Sequence, residues 1–312
     1  MRIAAGLGME AIGGATPPAQ LVQQARAAEM DGFPSAWCVH FSRTIDALSA
    51  LAAAAVVTST IELAVGVVPT YPRHPIALAQ QAATVQALAG GRLTLGVGVS
   101  HRPVIEGMHG LPYVHPARHM REYLSVLGPL LREGRANFRG EFYAVEAELT
   151  VPDTTPVSIL VGGLSANMVR LAGELADGVV TWMAGPRSLE GDVLPNLKEG
   201  ADAGGRPSPR MVVALPVAVC DDIEAGREAA DVAFARYRTL TNYRRLMDRE
   251  GILSPAEIAL IGPEAAVGDR LRAYAALGAT EFWPVVFPVG TDPAASVERS
   301  RAFLCGVAPV IG

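Results

Sequence analysis

The sequence predicts an α/β fold, a TIM-like (β/α)8 barrel that spans residues 1–312 as one domain. Short β-branched or apolar runs alternate with longer Ala- and Leu-rich segments of helical period along almost the whole chain, a pattern typical of parallel βα units. Eight such runs are present, the number that closes a barrel. No internal repeat, low-complexity tract or linker divides the chain.

The predicted elements follow one another in regular order. Strands are predicted at residues 3–8, 35–40, 61–68, 92–98, 158–162, 178–183, 211–219 and 281–286. Helices are predicted at 18–30, 44–57, 75–89, 117–133, 165–175, around 188–203, 223–249 and 264–277. Glycine marks the helix ends in this register, since Gly90-Gly91, Asp177-Gly178 and Leu277-Gly278 each precede a new strand.

Two segments depart from an ideal barrel. Residues 134–156 are predicted as an insertion before strand five, in which 138–143 resembles a small hairpin or extended excursion. Residues 237–260 contain Gly251 and Pro255 and are expected to break into more than one helix. Periodicity alone also allows a doubly wound open sheet, whereas a barrel predicts catalytic groups at the C-terminal strand ends.

Composition favours a small-molecule partner and a cytoplasmic location. The formal net charge of −5 provides no basic surface for nucleic acid, and no run of like charges suggests a membrane surface. Cys38, Cys220 and Cys305 lack metal-site spacing, so we expect reduced thiols and no metal. No signal peptide and no confident bilayer-spanning segment is predicted.

Three of the predicted C-terminal strand ends are rich in glycine. Gly66 lies in a proline-rich run at 65–75, and Gly96 and Gly98 end strand four, where missing side chains can make room for a flat ring. Gly162 and Gly163 follow strand five and open a helix, where exposed N–H groups favour a phosphate. Rigid strand-to-helix connections, with Ser165 as an ordinary N-cap, are the structural alternative.

Two histidines are predicted at the mouth of the barrel. His40 ends strand two and His101 follows strand four, where imidazole can exchange protons or polarise a substrate. A structural role is the alternative for each. His115 and His119 have the i,i+4 spacing of a metal pair but lack a third ligand, so we expect substrate contact or a surface salt-bridge network there.

Four motifs together resemble the luciferase-like monooxygenase family and, within it, the actinobacterial branch of F420-dependent oxidoreductases. They are GFPSAW at 32–37, VVPTYPRHP at 67–75, GGRLTLGVG at 90–98 and LAGELADG at 171–178. The resemblance covers nearly the full length. It implies a barrel of the bacterial-luciferase type, with the deazaflavin ring against the C-terminal strand ends and the coenzyme phosphate near Gly162-Gly163.

The resemblance also implies positions for the coenzyme site and for catalysis. The residues expected to bind the coenzyme are Val65, Gly66, Val67, Gly98, Ser100, Gly162, Gly163 and Leu164. A non-proline cis peptide is expected at or next to Gly66-Val67. His40 matches a His or Asp that related enzymes place near the deazaflavin C5, and His101 stands where some relatives have a glutamate.

The predicted function is hydride transfer between the deazaflavin C5 and a small organic substrate, by a cytoplasmic homodimer. One alternative is an FMN-dependent luciferase-like monooxygenase on the same fold, which would activate oxygen. Another is a non-catalytic deazaflavin-binding protein. The residues leave the substrate, the direction of hydride transfer and the choice between His40 and His101 as proton donor open.

Overall fold

The computed structural model describes residues 1–8 and 16–308, which divide into two compact units. The first unit comprises Met1–Trp37, Thr181–Pro195 and Arg210–Gly312, and the second comprises Cys38–Val180 and Asn196–Pro209. All the sequence-predicted coenzyme-binding and catalytic residues belong to the second unit.

The described strands and helices alternate along the chain. The strands are β1 (Arg2–Ile3), β2 (Ala5–Leu7), β3 (Ser35–Val39), β4 (Glu62–Pro69), β5 (Leu93–Gly98), β6 (Arg135–Arg139), β7 (Ala144–Glu148), β8 (Ser158–Gly162), β9 (Gly178–Trp182), β10 (Arg210–Val219), β11 (Leu260–Gly262) and β12 (Glu281–Val286). The α-helices are α1 (Pro18–Met30), α2 (Ala47–Ala55), α3 (Pro75–Leu88), α4 (Arg102–Gly107), α5 (Pro116–Glu133), α6 (Ala166–Leu175), α7 (Pro186–Ser188), α8 (Leu194–Ala203), α9 (Ile223–Ala233), α10 (Thr241–Glu250), α11 (Pro255–Ile258), α12 (Glu264–Ala276) and α13 (Pro293–Val307).

In the second unit, parallel strands run in the order β4–β5–β8–β9. Their registers place Leu95 beside Ile159 and Val161 beside Val179. These strands are buried along most of their length, which explains why they appear in the sequence as continuous apolar runs. Because they are parallel, their C-terminal ends lie at the same edge.

In the first unit, β12 lies between β1 and β10, and β11 pairs with the far end of β10, all in parallel. The carboxylate of Glu281 is buried at the start of β12, where it accepts hydrogen bonds from Trp37 Nε1 at 2.9 Å and Arg210 Nη2 at 2.6 Å. A buried charge needs such partners, so this group has a structural role in the unit.

The predicted boundaries agree with the structure except at a few points. Strands 158–162 and 281–286 and helix 18–30 are confirmed without change. Helix 44–57 starts only at Ala47, because Asp46 caps it by accepting a hydrogen bond from Ser49 N at 2.8 Å. Predicted helix 223–249 is wrong as one helix, and the break expected within 237–260 is confirmed.

Several elements were not predicted from the sequence. Predicted strand 3–8 is divided at Ala4 into β1 and β2. Helix α4 is too short to show a helical period, and β11 has only three residues. Helix α13, capped by Asp292, follows the last strand, where no helix was predicted.

The predicted insertion before strand five is confirmed as an antiparallel hairpin of β6 and β7. Glu122 of α5 anchors it, because its carboxylate accepts hydrogen bonds from the backbone N–H groups of Glu141 at 3.0 Å, Phe142 at 2.7 Å and Tyr143 at 3.2 Å. A methyl group at Gly140 would lie 2.4 Å from Glu122 Oε2, so the turn also needs glycine. The hairpin therefore depends on one buried carboxylate.

Replacing Glu122 by glutamine should loosen this hairpin. The amide keeps the shape of the side chain, but its NH2 group would face backbone donors, and we expect a loss of roughly 2 kcal/mol in the free energy of unfolding. Urea denaturation and limited proteolysis within 135–148 would measure it. Glu141→Gln is the matched control, because its carboxylate pairs with Arg118 only at the exposed surface. Equal stability of the two variants would contradict the anchoring role.

Candidate active site at the strand ends of the second unit

The strand β4 contains a cis peptide between Gly66 and Val67. This confirms the non-proline cis peptide expected at that position. The register between β4 and β5 shifts between Val65 and Val68, so the irregularity lies where the sequence places Gly66. Val65 is fully buried, whereas Val67 is half-buried.

The side chain of Val67 lies against glycines of the neighbouring strands. A methyl group built at Gly98 would lie 2.6 Å from Val67 Cγ2, and one at Gly162 would lie 3.1 Å from both Val67 methyl groups. At Gly96 such a group would meet the carbonyl oxygen of Val65 at 2.3 Å. Gly96, Gly98 and Gly162, which were predicted to lie at one edge, therefore do lie close together. The side chain of Val67 fills the space beside Gly98 in which a flat ring was expected.

The other residues predicted to bind the coenzyme follow the ends of β5 and β8. Ser100 has a left-handed φ of 59°, and its carbonyl accepts a hydrogen bond from the Tyr113 hydroxyl at 3.4 Å. Gly163 N–H donates to Val180 O at 3.4 Å, and a side chain at Gly163 would collide with Met168. Leu164 is half-buried before α6.

Ser165 has the backbone geometry of the N-cap of α6, as the sequence predicts, but its side chain makes no capping hydrogen bond. Ser165 and the next two residues, Ala166 and Asn167, are exposed. The first turn of α6 thus keeps solvent-accessible N–H groups, the feature on which the phosphate prediction depends.

His40 lies directly after β3, half-buried, with its ring fixed from α2. The backbone N–H of Ala47, the first residue of α2, donates to His40 Nδ1 at 3.4 Å. Burial lowers the pKa of His40 to about 4, assisted by the positive charge of Arg73 and opposed by the carboxylate of Asp46. His40 is therefore a neutral imidazole near neutral pH.

Arg73 and Asp46 form an ion pair beside His40. Gln81 of α3 bridges them, donating to Asp46 Oδ1 at 3.2 Å and accepting from Arg73 Nη1 at 3.0 Å. Burial raises the pKa of Asp46, but hydrogen bonds from Arg73 and Ser49 outweigh it and bring that pKa to about 2. Asp46 was not predicted as a residue of the site, although its position before an Ala-rich segment is typical of a helix N-cap.

His101 is the N-cap residue before α4 and is half-buried, directly after the left-handed Ser100. Arg102 pairs with Glu106 at 2.6 Å and lies 5.3 Å from the centre of the Tyr113 ring. The structure thus places His101 at the same strand end as Gly98, while His40 lies at the end of β3.

His119 is buried and contacts the loop after β4. Its Nε2 is 3.0 Å from Thr70 Oγ1, and its ring stacks on Tyr71 with 3.9 Å between centroids. Burial lowers the pKa of His119 to about 4, against the opposing charge of Glu122. The expectation of substrate contact or a surface salt-bridge network is wrong for His119, because Tyr71 and the aromatic residues of the hairpin cover the ring.

Within residues 1–8 and 16–308, no group of three or more His, Cys, Asp or Glu side chains is arranged to hold a metal ion. Across the same residues, no helix combines the length and the apolar character that a membrane crossing requires.

Curated relatives cover most of the chain. An uncharacterized protein of Mycobacterium tuberculosis is 30% identical, over 94% of this chain and 91% of its own length. The 5,10-methylenetetrahydromethanopterin reductase of Methanopyrus kandleri is 29% identical, over 94% of this chain and 88% of its own length. The F420-dependent glucose-6-phosphate dehydrogenase of Nakamurella multipartita is 27% identical, over 92% and 84%.

Solved structures share the fold at lower identity. The coenzyme F420-dependent tetrahydromethanopterin reductase of Methanopyrus kandleri gives a TM-score of 0.80 at 22% identity, covering 95% of this chain and 96% of its own. An F420-dependent secondary alcohol dehydrogenase, in complex with an F420-acetone adduct, gives a TM-score of 0.78 at 18% identity, covering 100% of this chain and 99% of its own. The FMN-bound oxygenating constituent of 3,6-diketocamphane monooxygenase from Pseudomonas putida gives 0.74 at 21%, covering 100% and 99%.

These likenesses confirm the (β/α)8 barrel and show that the open-sheet alternative is wrong. The model of the luciferase-like monooxygenase family matches residues 2–281, from β1 to the first residue of β12. Together with the relative at 30% identity, this match shows that the chain belongs to the luciferase-like monooxygenase family.

Proposed function

We propose that this protein is an oxidoreductase that uses coenzyme F420 to transfer a hydride to or from a small organic substrate. The observation that carries the proposal is that Gly98 and Gly162 lie against the half-buried Val67, the residue after Gly66, in a chain related to enzymes named for F420. The proposal includes a cytoplasmic homodimer without nucleic-acid or membrane partners.

The residues at this edge fit a flat, phosphorylated group. The absence of side chains at Gly98 and Gly162 leaves backbone and the Val67 side chain as the surface that a planar ring would meet. Val65, Gly66 and Ser100 would contribute backbone to that surface. Gly162, Gly163 and Leu164, with the exposed N–H groups of α6, would hold the phosphate. When bound, the deazaflavin supplies or accepts the hydride at C5.

The protein would bind the substrate at the same edge and stabilise the charge that develops on its reacting group. His40 and His101, at the ends of β3 and β5, would contact the reacting group of the substrate. Orientation and exclusion of water are the other contributions expected from the chain.

Titration of purified apoprotein with coenzyme F420, FMN and NADPH in parallel tests the proposal. We expect saturable binding of F420 and negligible binding of FMN and NADPH, measured by calorimetry or fluorescence. Preferential FMN binding would support the monooxygenase alternative, which the likeness to the FMN-bound camphane enzyme favours. Full F420 binding without turnover of enones, imines or alcohols would support a non-catalytic carrier.

A further inference from the structure

We infer that His119 of α5 is a positioning residue for the end of β5, where its ring fixes the backbone carbonyl groups of Gly98 and Ser100 through two separate sets of contacts. Both carbonyl groups belong to residues that are proposed to bind the coenzyme, so the consequence for coenzyme binding rests on the proposed function. The hold on the backbone rests only on the contacts of the ring.

The first set of contacts passes through Thr70, which follows β4. Thr70 is fully buried, and its Oγ1 lies 3.0 Å from His119 Nε2. The backbone N–H of Thr70 donates to Gly98 O at 2.9 Å, and its hydroxyl donates to the same oxygen at 3.4 Å. These two donors occupy both lone pairs of the carbonyl oxygen. His119 therefore fixes the direction of the Gly98 carbonyl by holding Thr70 in place.

The second set of contacts passes through two tyrosine rings. The His119 ring stacks on Tyr71 with 3.9 Å between the centroids and 2° between the planes. Tyr71 in turn lies against Tyr113 at 5.2 Å between centroids, and its hydroxyl donates to Val114 O at 2.7 Å. The Tyr113 hydroxyl donates to Ser100 O at 3.4 Å. The stack therefore connects His119 to the Ser100 carbonyl.

His119 can hold both groups because its own ring has little freedom. The side chain is buried, and the rings of Phe142 and Tyr143 lie 5.7 Å and 5.8 Å from its centroid. Both aromatic residues belong to the hairpin turn whose N–H groups donate to Glu122, the residue three positions further along α5. The ring is thus fixed between the hairpin and the loop after β4.

The end of β5 needs support from another element. Gly98 has no side chain to restrict its φ and ψ, and Ser100 has a left-handed φ of 59° that few residues other than glycine adopt. Such a conformation persists when the surrounding structure imposes it. Because a misplacement of about 1 Å in a site can cost on the order of 100-fold in rate, loss of the His119 contacts should impair coenzyme binding.

Carbon NMR of the apoprotein tests the two sets of contacts without coenzyme or turnover. Labelling one residue type with 13C at the carbonyl and the next with 15N isolates each group. Ser–His occurs once in the sequence, at 100–101, and Gly98–Val99 is one of five Gly–Val pairs. Val99→Ile removes the Gly98 signal and so assigns it. The Gly178–Val179 pair serves as the internal reference.

Two substitutions of His119 separate the contacts. Phenylalanine keeps a flat ring against Tyr71 but lacks Nε2, so His119→Phe should move the Gly98 carbonyl resonance and leave that of Ser100. Glutamine keeps a polar atom near the Nε2 position but lacks the ring, so His119→Gln should move the Ser100 resonance alone. Ser125→Ala, which removes a hydroxyl bonded within α5 at 2.9 Å, should move neither. The same response to both His119 substitutions would overturn the inference.

Titration with coenzyme F420 tests the consequence for binding. Thr70→Val keeps the shape of the side chain and removes its hydroxyl, so this variant and His119→Phe should each weaken binding about tenfold, the equivalent of one hydrogen bond. The double variant should bind no more weakly than either single variant, because both remove the same contact.

Two kinds of failure are distinguishable in these measurements. Additive losses in the double variant, or unchanged F420 affinity where the Gly98 resonance has moved, would overturn the positioning role and leave the proposed function standing. Absence of F420 binding by the unsubstituted protein would reject the proposed function, and the carbonyl resonances would still decide whether His119 holds the backbone.

Discussion

Replacement of His40 by alanine should slow turnover by about 100-fold or more and leave the affinity for coenzyme F420 nearly unchanged. The ring is only half-buried after β3 and is held by Ala47 from one side, so Nε2 is the group available to a substrate. Removal of one donor at a developing charge costs this order of rate. Stopped-flow reduction or oxidation of the coenzyme measures the chemical step separately from binding.

Two further variants make this result specific. His115→Asn changes an exposed histidine with a left-handed φ of 43°, which Asn tolerates, and should leave turnover unchanged. His101→Ala tests the other candidate catalytic histidine, at the end of β5. A 100-fold loss in His101→Ala with normal turnover in His40→Ala would assign the chemistry to His101 and remove His40 from the mechanism.

Substitution of Gly98 by alanine should destabilise the apoprotein by about 1–3 kcal/mol, and shortening of Val67 should restore most of the loss. The added methyl group would lie 2.6 Å from Val67 Cγ2, a side-chain atom that Val67→Ala removes. Thermal and urea unfolding of both single variants and of the double variant give the coupling energy. Additive losses would show that Val67 does not fill the space beside Gly98.

Gly96→Ala should behave differently, because its methyl group would lie 2.3 Å from the Val65 carbonyl oxygen, a backbone atom that no side-chain change can remove. We expect a larger loss that Val67→Ala does not restore. Gly107→Ala is the matched control, since a methyl group there meets nothing within 4 Å and the position lies in α4. Rescue of Gly96→Ala by Val67→Ala would contradict this account.

The order of strands and helices could be predicted from the sequence because it depends on local pattern. Buried parallel strands are continuous apolar runs, and helices end at glycines, so β8 and β12 were predicted without error. The glycine-rich strand ends and His40 could be predicted for the same reason. The C-terminal ends of parallel strands meet at one edge whatever the lengths of the intervening helices.

The contacts that set the chemistry depend on tertiary structure. Periodicity reports which residues are buried, but it does not report which side chain from another element will meet them. Asp46 and Arg73 are 27 residues apart in the chain and His119 and Thr70 are 49 apart, and only the packing of α2, α3 and α5 on their strands brings each pair together. The sequence by itself determined the barrel, its glycine-rich edge and the histidines placed there. The tertiary structure decided that Val67 occupies the space between the glycines and that the Ala47 amide takes His40 Nδ1, because both depend on distances between elements.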